Sequence, residues 1–270
     1  MSRRLRVVAV VAPLLAAASF CASGAAASMR DVTYSANWAG YAVTGLNPAT
    51  AAATSFSVVS GTWVEPAATC TEGRQTWSSF WVGLGGFSPT SQALEQIGTE
   101  ADCSQHGATT YSVWWELVPA ALVRTQLKVF PGNTINAVVV VSGNRVTMRL
   151  RNLTRHTVFT KTATADALDV ASAEWVAEAP STCDDAGHCQ VLPLTNFGTV
   201  PFTSAAAIGD GHTGSIADGA WTATGIELIT PGQDPSIPVT AGPGAIPSDI
   251  GPDGGSFAVT YADSISRPTG

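Results

Sequence analysis

From residue 36 onward the chain is a succession of short β-branched and aromatic runs, each broken by Gly, Pro, Asn or Ser. Runs this short, with turn residues between them, leave no room for the crossover helices of a parallel sheet; they predict an all-β sandwich or barrel. The expected strands are 36–44, 55–65, 77–84, 92–98, 109–118, 125–130, 134–142, 145–152, 155–162, 198–207, 220–229 and 256–262. The clearest hairpin is INAVVVVSGNRVTMRLRN (135–152), in which Ser142-Gly143-Asn144 joins two strands. Met148 and Leu150 alternate there with Arg149 and Arg151, so one face is buried and the other wet. Residues 231–255, rich in Pro, Gly, Asp and Ser, read as a long surface loop before a closing strand in GSFAVTYA (255–262).

One stretch resists this pattern. ADALDVASAEWVAEA (165–179) is rich in Ala, Leu and Glu, with Leu168, Ala171 and Trp175 at helical spacing, so local propensity alone favours a helix. A helix would make Glu174 and Glu178 neighbours about 5–6 Å apart at Cβ. A strand would put them on one face but roughly 13 Å apart, at about 3.3 Å per residue.

The first residues are expected to be a secretory leader: Arg3, Arg4 and Arg6, an apolar run from Val7 to Phe20, and the small exit Ala25-Ala26-Ala27. Residues 1–27 are thus read as signal peptide and 28–270 as one domain, since neither a repeat nor a linker divides it. Loss of the leader would take the formal charge from −7 to −10. That balance argues against a nucleic-acid partner, and no further apolar run is long enough to span a membrane, so a secreted monomer is expected. Of the cysteines left, Cys70 is expected to pair with Cys103 and Cys183 with Cys189. The second loop contains only His188 as a further soft ligand and has no CxxC spacing, which argues against a metal.

The common hydrolase signatures are missing: no HExxH, no GxSxG, and no Asp-Thr-Gly or Asp-Ser-Gly. The four histidines (His106, His156, His188 and His212) sit in polar or turn-like surroundings, and no Gly-rich phosphate loop opens a helix. Carboxylates and carboxamides carry what chemistry remains. Seven segments then stand in order: NWAGYAV (37–43), SGTWVEP (60–66), FWVGLGG (80–86), LEQIGTEAD (94–102), YSVWWELVP (111–119), SAEWVAEAP (172–180) and NFGTVPFTSA (196–205).

Together these segments resemble the glutamic peptidases, or eqolisins, which are pepstatin-insensitive acid endopeptidases. The resemblance implies a β-sandwich of two large antiparallel sheets, of concanavalin A-like or jelly-roll type, with protein or peptide substrates lying across a concave face. It places the catalytic glutamine on Gln96 and the catalytic glutamate on Glu178, the second acid of EWxxE, and makes that segment a strand. It implies neither metal nor cofactor. Glu178 would take a proton from the attacking water, and Gln96 would stabilise the oxyanion. Glu174 and Glu116 are expected to support the site through hydrogen bonds, and Trp81 and Trp115 to line the cleft and bind substrate. Trp63, Trp175 and Trp221 read as core. Gly85 stands where the family motif WVGxDG carries an acid, and Glu95 where fungal members carry an apolar residue.

Other readings of the same residues are a sandwich lectin using Trp and Tyr as stacking platforms, a glycosidase, and an inactive peptidase-like protein. A glycosidase needs two carboxylates about 5–9.5 Å apart, which Glu174 and Glu178 cannot provide within one strand but Glu116 and Glu178 could.

Overall fold

The computed structural model describes residues 31–184, 189–229 and 242–265; the expected leader and the first part of the 231–255 loop lie outside them. In chain order the strands are β1 (Asp31–Ser35), β2 (Trp38–Thr44), β3 (Phe56–Val64), β4 (Ser79–Leu84), β5 (Leu94–Cys103) and β6 (Thr109–Val118). Then follow β7 (Val123–Arg124), β8 (Thr134–Ser142), β9 (Arg145–Asn152), β10 (Thr157–Thr164), β11 (Ser172–Glu178) and β12 (Ser181–Cys183). The last are β13 (Cys189–Val191), β14 (Thr199–Gly209), β15 (His212–Ser215), β16 (Thr222–Ile229), β17 (Gly242–Pro247) and β18 (Phe257–Ile265). No helix occurs among the described residues.

The expected sandwich is present, its two large antiparallel layers joined edge to edge in one hydrogen-bonded path. Its strand order is β10-β9-β8-β3-β14-β18-β17-β16-β2-β11-β4-β5-β6-β7, with β1 beside β16 and β15 beside β14. The part from β16 to β7 makes a front layer and the part from β10 to β18 a back layer. Packing of β3 and β8 against β4, of β8 and β9 against β5, and of β3 and β14 against β11 closes the two over a common core. Among the described residues the strands pair antiparallel except β1 with β16, and an isolated parallel bridge joins Trp77 to Leu194. β12 and β13 form a separate hairpin.

The segment with helical propensity is the central strand of the front layer. β11 pairs with β2 on one side and β4 on the other. Ala173, Trp175 and Ala177 point into the core, while Val176 packs with Trp81, Leu94 and Trp114 on the outer front face. A strand is the only conformation that gives Trp175 its core position and Val176 the opposite one, so tertiary burial outweighs propensity. Two other expectations fail locally. Residues 125–130 form no strand, β7 being only Val123–Arg124, and Gly242–Pro247 is a strand inside the expected loop. The latter supplies the partner that β18 needs, since β18 pairs with both β17 and β14.

Both expected disulfides form: Cys70 with Cys103, and Cys183 with Cys189 across the β12–β13 hairpin. Asn152, which opens the Asn-Leu-Thr triplet, is buried; its amide donates to Asn133 Oδ1 at 2.7 Å and to the Lys128 carbonyl at 3.2 Å. It is a tie across the turn and leaves no amide for glycosylation.

Carboxyl groups are part of the interior. Glu65, beside Trp63 Nε1 at 3.4 Å, is pushed by burial from 4.5 to about 8, and burial does the same to Glu95. Below about 4.5 these groups are protonated in both folded and unfolded chains, so burial carries no ionisation penalty. As pH rises from 4.5 to about 8 the unfolded chain gives up its protons while the folded one keeps them, and stability falls. The thermal midpoint is therefore expected to drop across that window, and Glu65→Gln to drop less. Parallel melting profiles for the two proteins would contradict this origin.

Candidate active site

Strand alternation places Trp38, Trp81, Gln96, Trp114, Glu116, Glu174 and Glu178 on the outer face of the front layer. Glu178 ends β11, beside Ser79 of β4 and Trp38 of β2. Its two carboxyl oxygens have separate donors: Asn37 Nδ2 reaches Oε1 at 3.0 Å and Trp81 Nε1 reaches Oε2 at 2.7 Å. Burial pushes the Glu178 carboxyl from 4.5 to about 7; the Trp81 bond opposes this and the nearby Glu116 charge adds to it.

Gln96 lies on β5, directly opposite Gly83 on β4 and Glu116 on β6. Its Nε2 donates to Glu116 Oε2 at 2.6 Å, which fixes the amide's orientation. Burial raises the Glu116 carboxyl, against the donors Gln96 and Leu122. Gln96 Oε1 and Trp114 Nε1 are buried on this face without a hydrogen-bond partner among the described residues. Unpartnered polar atoms in an interior are costly, and these two share the face that carries Glu116 and Glu178.

Trp81 joins the two halves. Its Nε1 holds Glu178, while its six-membered ring lies over Gly83, where a Cβ would sit 2.9 Å from Cζ3 and 3.2 Å from Gln96 Cβ. Gly98 provides the same clearance further along, since a Cβ there would lie 2.6 Å from Trp81 Cβ. Neither position has room for a side chain beside Trp81, and at Gly98 the Phe80 carbonyl oxygen stands closer still. Trp38 then packs edge-on against the indole, ring centres 4.9 Å apart.

The structure thus brings Gln96, Glu116, Trp81 and Glu178 together. Trp81 is fully buried and acts on Glu178 rather than as an open platform for substrate. Trp115 points to the opposite face, packing on the core with Lys161 Nζ 5.1 Å from its ring centre; its neighbour Trp114 takes the expected place on the cleft side. Glu174 shares the Glu178 face but is fully buried, and its oxygens form no hydrogen bond among the described residues. Burial holds it well above the usual range, with Asp169 and Glu95 adding to the rise. It lies in the interior on the Glu178 face, with the Ser172 hydroxyl working against the rise.

Two contributors went unassigned in the sequence. Asn37 opens the segment NWAGYAV, yet nothing there marks its amide as a ligand of Glu178. Glu100, inside LEQIGTEAD, is held by Arg124 through Nε and Nη2, both at 2.9 Å, and by Ser112.

A family model described as the Peptidase A4 family matches residues 36–234. The chain belongs to this family, the eqolisins. It is accordingly a hydrolase of peptide bonds. Scytalido-glutamic peptidase, solved with a peptide-based transition-state analogue, superposes with a TM-score of 0.66 at 23% identity, over 84% of this chain and 98% of that one. The eqolisin SCP-B, bound to the tripeptide Ala-Ile-His, gives 0.62 at 22% identity, over 84% and 98%. Aspergilloglutamic peptidase from Aspergillus niger gives 0.55 at 26% identity, over 69% and 99%. No curated protein matches the chain.

Within this eqolisin the acid missing at Gly85 has a spatial explanation. Gly85 has φ +83°, and a Cβ there would lie 2.4 Å from the Asp169 carbonyl oxygen and 2.6 Å from Asp169 Cβ. Asp169, arriving from the segment before β11, fills the space. Its carboxylate accepts from Gly86 N at 3.3 Å, from Ala171 N at 2.9 Å and from Ser91 Oγ, pinning the β4–β5 turn to the start of β11. Gly86 backs onto Trp38 in turn. Gly85→Asp is therefore expected to destabilise the fold by about 1–3 kcal/mol through strain and collision. Adding Asp169→Gly should not restore stability in thermal melts, because the Asp169 carbonyl oxygen stays in place and the carboxylate tie is lost. An unchanged melting point for Gly85→Asp would contradict the packing account.

Proposed function

We propose that this eqolisin is an exported, monomeric endopeptidase working on the acid side of neutrality, with Glu178 and Gln96 as its catalytic pair. The observation that carries the reading is the opposed setting of their polar atoms. Glu178 is a desolvated carboxyl gripped by two donors, and Gln96 is an amide locked by Glu116 with one N–H and its carbonyl left over.

Glu178 carboxylate takes a proton from water as the water oxygen bonds to the scissile carbonyl carbon. The carbonyl π pair moves onto oxygen, where the free Gln96 N–H meets it. Gln96 Oε1 orients the water through its other proton. Collapse of the tetrahedral intermediate breaks the C–N bond, and Glu178 returns its proton to the departing amine. A carboxyl with a midpoint at about 7 is a stronger base than an ordinary one. Its ionised fraction shrinks tenfold per unit below that point, and the gain in basicity offsets much of this loss. Stability lost as pH rises from 4.5 to about 8, through Glu65 and Glu95, works against activity at higher pH. Export is supported by the leader-like residues 1–27 and by two disulfides.

Cleavage of a denatured protein with pepstatin present, across about pH 2–7, tests the proposal. Glu178→Gln and Gln96→Ala, checked for folding, should each lose at least about 100-fold in kcat, the scale of removing an oxyanion donor. Full activity in either folded variant would mean the pair is misassigned.

A further inference from the structure

The outer face of the back layer carries charge of one sign only. β9 directs Val146, Met148 and Leu150 into the core, so Arg145, Thr147, Arg149 and Arg151 face outward, and the three arginines are exposed. Their cross-strand neighbours are uncharged on both sides. Arg145 lies between Ser142 and Thr164, Arg149 between Val138 and Thr160, and Arg151 between Asn136 and Val158. One strand further in, β3 presents Val58, Ser60 and Thr62 against Val140, Val138 and Asn136. None of the three arginines pairs with a carboxylate among the described residues.

The primary structure explains the one-sided charge. Residues 125–164 contain Lys128, Arg145, Arg149, Arg151, Arg155 and Lys161 and not one Asp or Glu, in a chain whose formal charge is −7. Whole-chain charge concealed this segregation. Arg155, at the β9–β10 turn, extends the row while its guanidinium lies 5.0 Å from the centre of the Phe130 ring. Along β9 the arginines are spaced by roughly 13 and 7 Å, at about 3.3 Å per residue.

We propose that this face docks an acidic polysaccharide. A chain of uronate sugars offers what the surface complements: carboxylates for the guanidiniums, hydroxyls for the Thr, Ser and Asn rows, and apolar C–H faces for Val138, Val140 and Val158. Single-stranded nucleic acid is disfavoured because the outward positions of β3, β8, β9 and β10 carry no aromatic side chain to stack a base, and the exposed Phe130 ring is covered by Arg155. A bilayer is disfavoured because nothing larger than valine projects among the apolar residues of these positions. The face is on the opposite side of the sandwich from Glu178, so docking and peptide cleavage can proceed together. The proposal does not depend on which residues catalyse.

The test is binding of polygalacturonate at low ionic strength and about pH 5, where uronate carboxyls are ionised. Wild type should bind, and the affinity should fall as salt is added. The triple variant Arg145→Ser, Arg149→Ser, Arg151→Ser should lose at least tenfold, while Arg74→Ser, outside this face, should not. Unchanged peptide cleavage by the triple variant would show that it remains folded. No binding by folded wild type, or equal binding by the triple variant, would overturn the proposal and leave the arginines as a solvated face. Tighter, arginine-dependent binding of single-stranded DNA or anionic phospholipid vesicles would overturn the choice of partner.

Discussion

Burying carboxyl groups without cations is the constraint on which this molecule turns. Glu65, Glu95, Glu174 and Glu178 are held in or against a sheet interior, and burial raises all four. On the front layer Glu100 has its arginine, Arg124, but none of those four has one among the described residues. An ionised carboxylate in such a place costs several kcal/mol, so the proton stays with the fold. The same physics that makes Glu65 a liability at higher pH makes Glu178 a proton carrier. What distinguishes Glu178 is its donors, Asn37 and Trp81, which keep its ionised form accessible, and its place at the open end of β11.

The sheet makes that placement possible. Glycines at 83 and 98 let Trp81 lie across two strands, and Asp169 at the site of a missing side chain fixes the turn that supports Trp38. A carboxyl is therefore oriented by an indole, the indole by another indole, and that second ring by a backbone turn. The charges are partitioned as well: acids dominate the front layer and unpaired arginines the outer back face, so one sandwich has two chemically unlike surfaces.

Much of this was legible in the sequence. Alternation in 135–152 and turn residues between runs specified most strands, because a half-buried strand cannot hide its period. Motif order pointed to Gln96 and Glu178. Three things were hidden for physical reasons. β11 has buried residues on both faces, so it shows no alternation and its Ala and Glu content mimics a helix. Trp114 and Trp115 are adjacent, and only the register of β6 against β5 decides which one faces the cleft. Asp169 lies far from Gly85 in sequence, so no local pattern could show that it fills Gly85's space. Net charge misled in a similar way, since it averages over two opposite faces.

The central claim is that enclosure keeps a proton on Glu178 well above the ordinary carboxyl range. The direct measurement is a carboxyl carbon-13 chemical-shift titration of Glu178, assigned by its loss in Glu178→Gln. The account predicts a midpoint near 7, far from the usual 4.5, moving higher still when Trp81→Phe removes the Nε1 donor. A midpoint at or below 4.5 in the folded protein would contradict it.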